Sequence, residues 1–254
     1  MWKNSMDLTG RRALVTGASR GIGRAIAVAL ARNGADVVAV ARDLQKLEEL
    51  AQEIRGLGRQ AWTLAVDVSD TAQIEACYRE HGDVLGEVSI FINNAAITLF
   101  KGFMDTTVQD FRRLFDTNVM AAMRFIQLSA HAMMERQRQG SVTIITSINA
   151  LRALPKQAAY SSTKAMLQSM MVSFANELAP YGIRVNAVVP GATYTDMNTH
   201  FTPEVIERLN ENIPLGRIGE SEDMADVVAF VVSDAARYMT GASVVVDGGM
   251  IIKR

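Results

Sequence analysis

The sequence predicts one doubly wound α/β domain, a seven-stranded parallel sheet with helices on both faces, and three observations predict it. Short β-branched runs alternate with longer helical patterns along all 254 residues, the signature of repeated βαβ units. A glycine-rich turn, Thr16-Gly17-Ala18-Ser19-Arg20-Gly21-Ile22-Gly23, separates the first strand run from the first helical stretch. No internal repeat, low-complexity tract or Pro/Gly/Ser-rich linker breaks the alternation, so residues 1–254 are expected to fold as a single unit.

The first strand is expected at Arg12 to Thr16. After it, Ile22, Ala25, Ile26, Ala29 and Leu30 fall at helical spacing and form an apolar stripe that Asn33-Gly34 ends. Val37 to Ala41 forms the second strand; Leu44, Leu47, Leu50 and Ile54 repeat the helical device, with Gly56 or Gly58 closing it. Further strands are expected at Ala61 to Val66, Val88 to Ile92, Val142 to Thr146, Ile183 to Val189 and Ser243 to Val246. Their nearly continuous apolar character predicts burial on both faces, and right-handed crossovers then give the doubly wound arrangement. The stretch from Tyr194 to Pro214 departs from this rhythm. Thr-rich, Pro-punctuated sequence surrounds one short helix at Pro203 to Asn210, with Pro203 suited to its first turn, and the segment is read as a lid over a bound ligand.

Composition narrows the function. Hydrophobic residues make up 49% and charged residues 21%, enough apolar material for a large core. The 26 Lys and Arg balance 27 Asp and Glu without a basic block, which argues against a nucleic-acid partner. Met1 to Met6 lacks the apolar stretch of a secretory signal and no run is long enough to cross a bilayer, so a cytoplasmic location away from membranes is expected. Cys77 is the only cysteine and reads as an inert buried thiol; His81, His131 and His200 stand too far apart to predict a metal.

The glycine turn carries the first chemical signal. Backbone N–H groups at the start of a helix can meet a pyrophosphate there, provided no Cβ blocks the turn or the phosphate's approach. Its spacing is G-x-x-x-G-x-G. With it come Asp67-Val68, Asn93-Asn94-Ala95-Ala96, Asn118, Ser147, Tyr160-Ser161-Ser162-Thr163-Lys164, Pro190-Gly191 and Asp247-Gly248-Gly249, in that order. This series, spanning roughly residues 8 to 250, resembles the classical short-chain dehydrogenase/reductase family. It is similar to that family's 3-oxoacyl-(acyl-carrier-protein) reductase-like and sugar or polyol dehydrogenase-like members. The clearest departure is Ala96, where the family more often has glycine.

The resemblance implies a Rossmann fold and a hydride-transferring oxidoreductase acting on a carbonyl or secondary alcohol. Tyr160 and Lys164 stand at i and i+4 on a helix and share one face. A phenol with a reference pKa near ~10 is a poor base at neutral pH, and a neighbouring ammonium is expected to lower it. By resemblance, Tyr160 donates the proton to the carbonyl oxygen and Ser147 hydrogen-bonds that oxygen. Lys164 tunes Tyr160 and holds the nicotinamide ribose, and Asn118 holds a water linking Lys164 to solvent. The cofactor is expected on Gly17, Ser19, Arg20, Gly21, Ile22 and Gly23, with Asp67 and Val68 at the adenine, Asn94 and Ala95 at the adenosine side, and Thr193 and Thr195 at the carboxamide.

The end of the second strand selects the nucleotide. Ala41 stands where NAD-dependent relatives often carry an acid, while Arg42 and Arg20 suit bidentate contacts to a 2′-phosphate, a pattern that resembles NADP(H) preference. Asp43 is the expected N-cap of the next helix; turned towards the ribose it would give dual specificity. Two alternatives stay open at this point, an NAD-dependent alcohol or sugar dehydrogenase and a catalytically silent nucleotide-binding sensor. The substrate pocket is expected from Ile97, Thr98, Ile148 to Leu154, Ala192, Tyr194 and Met197, with Asn149 and Arg152 as polar exceptions and Arg152 either facing solvent or binding an acid group. Ketones, polyols and acyl thioesters all fit these residues. Met120, Met123, Met133, Met134, Met166, Met170 and Met171 suit core packing or a subunit contact, and relatives imply a homotetramer.

Overall fold

The structure, a computed structural model, describes residues 5–152, 154–195 and 202–253. Strand β1 (Arg12–Thr16) leads into helix α1 (Gly21–Arg32), then β2 (Asp36–Ala41), α2 (Leu44–Gly56), β3 (Ala61–Ala65), α3 (Thr71–Glu80), the short α4 (Gly82–Leu85) and β4 (Ile90–Asn93). The second half runs α5 (Val108–Phe115), a π-helical turn (Asp116–Met120), α6 (Ala121–Glu135), β5 (Gly140–Ile145), α7 (Ala158–Leu178), β6 (Ile183–Pro190), α8 (Pro203–Glu211), α9 (Ser221–Val232) and β7 (Ser243–Val246).

All seven strands pair in parallel in the order β3-β2-β1-β4-β5-β6-β7. The expected doubly wound sheet is present, and its direction of winding reverses between β1 and β4, where such folds open a crevice. Two apolar cores sandwich it. On one face Ile26 and Leu30 of α1, Leu47 and Leu50 of α2 and Val228 and Val232 of α9 pack on Val15, Val37 and Ile92. On the other, Phe125 and Met133 of α6 and Leu167 and Met171 of α7 pack on Phe91, Val142 and Val185.

Three expectations need adjusting. Val88 and Ser89 precede β4 rather than belonging to it, because Val88 N donates to Leu85 O and closes the α4 turn. The outermost strand β7 alternates between exposed and half-buried residues, with Val245 39% exposed, so burial on both faces fails at this edge. Of the methionines, Met133 and Met171 are fully buried whereas Met166 is 42% exposed, which divides the group between core and surface.

The helix of the proposed lid is present as α8, with Pro203 at its start as expected. Ile206 and Leu209 pack it onto the core. Residues 196–201, which include Met197 and His200, lie outside the described residues, as do Ala153 and Met1 to Asn4. Cys77 is buried in α3, and burial pushes its thiol up to about 11, in keeping with an inert group.

Candidate active site

The C-terminal ends of β1, β4, β5 and β6 open into a cleft of about 1200 Å³. Every residue assigned from sequence to the cofactor lines it, from Gly17, Ser19, Arg20, Gly21, Ile22 and Gly23 through Arg42, Asp67, Val68, Asn94 and Ala95 to Thr193 and Thr195. Ser147, Tyr160 and Lys164 line its other end; Asn118 sits behind the wall.

The glycine turn is built for close approach. A Cβ on Gly23 would stand 2.3 Å from the Gly17 carbonyl oxygen, and one on Gly17 2.9 Å from Ala95 Cα. Gly17 also takes a left-handed φ of +66°, which favours glycine. Asn94 clasps the turn: its Nδ2 donates to the carbonyls of Thr16 at 3.0 Å and Gly17 at 3.2 Å, while the backbone N–H groups of Asn94 and Ala95 donate to Thr16 Oγ1. The Asn94 Nδ2 is therefore committed to shaping the turn. No side chain caps the start of α1, whose N-terminal end opens into the cleft. A tight cradle at an uncapped helix start fits a pyrophosphate.

At the far end, Arg42 leaves β2 with a side chain 72% exposed and its Nη1 3.8 Å from Asp67 Oδ2. Hydrogen bonds from the hydroxyl and backbone N–H of Ser69 hold the Asp67 carboxyl below the usual carboxylate range. Asp43 caps α2, accepting from Lys46 N at 3.2 Å, as its place in the sequence predicts. Lys46 and Ser69 also line this end and were not singled out from sequence; the i+4 spacing of Lys46 from Arg42 was the available signal.

At the other end, Ser147 follows β5 and its Oγ accepts from Asn149 N at 3.2 Å, fixing a 3-10 turn at Ile148–Ala150. The Ser147 and Tyr160 side chains stand beside each other at this end of the cleft. Lys164, only 3% exposed, lies one turn further along α7, and its Nζ donates to Ile145 O at 2.9 Å while sitting 5.8 Å from the Tyr160 ring centroid. Burial pushes the phenol up to about 12, with the neighbouring Ser147 hydroxyl opposing the rise, and pushes the Lys164 ammonium down to about 8. The expected lowering of Tyr160 by Lys164 is therefore not what the chain alone shows: burial raises the phenol, and the ammonium donates to a carbonyl.

Asn118 also differs from expectation. It lies in a π-helical turn between α5 and α6 rather than in regular helix, and its amide is fully engaged. Oδ1 accepts from Ile97 N at 2.8 Å; Nδ2 donates to Ile97 O at 3.0 Å and Thr163 Oγ1 at 3.1 Å. Its side chain thus ties the β4 exit to α7.

Around the catalytic end, Ile97, Thr98, Ile148, Asn149, Leu154 and Ala192 line the cleft as expected. Ala150, Leu151, Arg152 and Tyr194 do not; Arg152 donates to Met250 O at 3.3 Å and so ties the C-terminal segment down. Gln157, Leu209 and Met250 line it without having been foreseen. Gln157, three residues before Tyr160, was reachable by helical spacing; the other two come from distant chain segments with no local signal.

The family model described as enoyl-(acyl carrier protein) reductase matches residues 17–251. An L-rhamnose 1-dehydrogenase (NAD(P)(+)) of Azotobacter vinelandii is 39% identical over 253 residues, 97% of this chain and 99% of that one. The chain is a short-chain dehydrogenase/reductase. As a member of this oxidoreductase family it is also similar to a 3-oxoacyl-(acyl-carrier-protein) reductase of Staphylococcus aureus, 38% identical over 94% of this chain and 98% of the relative. Among solved structures, a gluconate 5-dehydrogenase from Burkholderia cenocepacia in complex with NADP and tartrate superposes with a TM-score of 0.93 at 30% identity, covering 98% of both chains. Among its described residues this dehydrogenase/reductase has no cluster of His, Cys, Asp and Glu that could hold a metal, and no helix long and apolar enough to cross a membrane.

Proposed function

We propose that this short-chain dehydrogenase/reductase reduces a small-molecule carbonyl to the secondary alcohol, reversibly, with NADP(H). The observation that carries the reading is the meeting of Ser147, Tyr160 and Lys164 at one end of a cleft whose other end carries Arg42 and Lys46. The glycine turn would hold the pyrophosphate, Asp67 and Val68 the adenine, Arg42 and Arg20 the 2′-phosphate, and Thr193 and Thr195 the carboxamide. When bound, the nicotinamide supplies the hydride.

The protein's own groups supply the rest. Ser147 and Tyr160, side by side in the cleft, would present two hydroxyls to one substrate oxygen. A phenol pushed up to about 12 stays protonated at neutral pH, which suits the acid of a carbonyl reduction. Lys164 holds positive charge below about pH 8, lies 5.8 Å from the phenol ring centroid and would hold the nicotinamide ribose. Asn118 positions α7 and the Ile97 backbone rather than touching substrate. The intact Ser-Tyr-Lys set speaks against a silent sensor.

NAD use is the second reading, favoured by the Arg42 to Asp67 ion pair, which draws part of the guanidinium's charge away from a phosphate. A homotetramer in the cytoplasm completes the proposal, supported by the half-exposed β7 edge and exposed Met166 and Val172 on α7. Nicotinamide absorbance, followed while the purified protein meets NADPH or NADH with ketones, ketoacids, keto-sugars and acyl thioesters, tests the reading. Oxidation of NADPH by any carbonyl class supports it; turnover with NADH alone overturns the cofactor assignment.

A further inference from the structure

We propose that Lys156 is a positioning residue for Tyr160, and that it acts through its left-handed backbone rather than through its ammonium. The inference rests on the carbonyl-reduction reading, in which Tyr160 is the acid.

Two non-glycine residues among those described take a left-handed φ, Gln137 at +51° and Lys156 at +63°. Gln137 has an ordinary cause. It follows the last turn of α6, where Gln137 N donates to Met134 O and Arg138 N to Met133 O, the bonding that ends a helix on a left-handed residue. No helix ends at Lys156. It stands third in the turn Leu154-Pro155-Lys156-Gln157, closed by Gln157 N donating to Leu154 O at 3.3 Å. Proline second and a positive φ third make the type II pattern, whose third position suits glycine or asparagine. A lysine there is strained, and such strain persists only where the surroundings fix the backbone.

The surroundings fix it on both sides. The Lys156 carbonyl accepts from Lys101 N at 2.7 Å, and Lys101 is itself held at the start of α5 by its Nζ, 2.7 Å from Asp110 Oδ2. Asp110 in turn completes the capping box of that helix with Thr107. Beyond Lys156 the chain enters α7 at once. Gln157 is the N-cap, its carbonyl accepts from Ser161 N at 2.8 Å, and Tyr160 is the third helical residue. A negative φ at Lys156 would rotate its carbonyl away from Lys101 and shift the first turn of α7, which carries the phenol. The ammonium contributes little: it lies 5.7 Å from the ring centroid of Phe100, which is 63% exposed, and a cation–π contact in water is weak.

The test compares Lys156→Gly with Lys156→Val. Both delete the ammonium, but glycine accepts a left-handed φ and a β-branched residue resists it. Lys156→Ala lies between them and stands in for the valine variant should that one not fold. Three properties are read: hydrogen exchange at the Lys101 amide, the Cζ carbon resonance of Tyr160, assigned by its loss in Tyr160→Phe, and kcat and KM with NADPH and the fastest carbonyl of the panel. The glycine variant is expected to match the wild type in all three. The valine variant should exchange the Lys101 amide about tenfold faster, the worth of one hydrogen bond, and move the Tyr160 resonance. Its kcat should fall about tenfold to a hundredfold, the effect of a misplaced catalytic group, with KM nearly unchanged. A glycine variant as impaired as the valine one would make the side chain the active part, and wild-type exchange and kcat in the valine and alanine variants would show that the left-handed φ does nothing. Either result overturns the inference and leaves carbonyl reduction standing. Exchange and resonance that follow the expected order while no carbonyl is reduced would support the positioning and count against the reaction instead.

Discussion

Lys164 Nζ donates to the main-chain carbonyl of Ile145, the last residue of β5, at 2.9 Å, so the ammonium 5.8 Å from the Tyr160 ring centroid is anchored to the strand that delivers Ser147. The three side chains are thereby set on two elements locked to each other. The same burial that fixes Lys164 makes its charge costly.

Stability should record that cost. The Lys164 pKa is pushed from an ordinary 10.5 down to about 8, so between these values the unfolded chain binds the proton and the folded one does not. Stability from this group therefore rises with pH across pH 8 to 10.5, by roughly 3 kcal/mol at most. Denaturant unfolding of the wild type and Lys164→Met at pH 7.5 and 9.5 checks it: the rise should vanish in the variant, and an identical pH trend in both would refute the assignment.

Asn118→Ala removes the hydrogen bonds to Ile97 N, Ile97 O and Thr163 Oγ1 and leaves buried partners behind. The expected loss is about 2 to 4 kcal/mol of stability, with turnover falling in step as the β4 exit loosens. Unchanged stability measured by urea titration would mean that water replaces the amide without cost.

Gly23→Ala places a methyl 2.3 Å from Gly17 O and 2.4 Å from Asn94 Nδ2. Because backbone and clasp must both move, nucleotide affinity should drop at least tenfold, on the order of 1.4 kcal/mol, while the sheet stays folded. NADPH fluorescence titration and circular dichroism separate the two; wild-type affinity would show that the turn does not hold the pyrophosphate.

Arg42→Ala should weaken NADPH by about tenfold to a hundredfold, the worth of a charge-assisted contact, and NADH hardly at all. Releasing Asp67 from its 3.8 Å partner favours the 2′-hydroxyl nucleotide further. A variant that keeps its preference for NADPH removes Arg42 from the selection.

Much of this was legible in the sequence, for identifiable reasons. Parallel strands buried on both faces are unbroken apolar runs, so β1, β2 and β6 stand where the runs stand. Motif residues sit at strand ends, and strand ends in a doubly wound sheet converge at one edge, which brings Gly17, Asp67, Asn94 and Ser147 together. What stayed hidden depends on contacts distant in sequence. No residue type announces the π turn at Asp116–Met120, since Asn118 takes its role from meeting Ile97 and Thr163. The Lys164 and Tyr160 shifts come from burial that only the packed helix creates. Asn149 and Gln157 meet only because the 3-10 turn at Ile148–Ala150 packs against the start of α7.

The most direct test of the central claim is NADPH absorbance under a keto-sugar and ketone panel, run in parallel on the wild type and Tyr160→Phe. The wild type should oxidise NADPH with at least one carbonyl substrate, and the variant, which keeps the ring and loses the proton donor, should be slower by about a hundredfold to ten-thousandfold with nucleotide binding intact. Equal rates in the two proteins, or a wild type that binds NADPH tightly and reduces none of the carbonyls, would contradict the assignment.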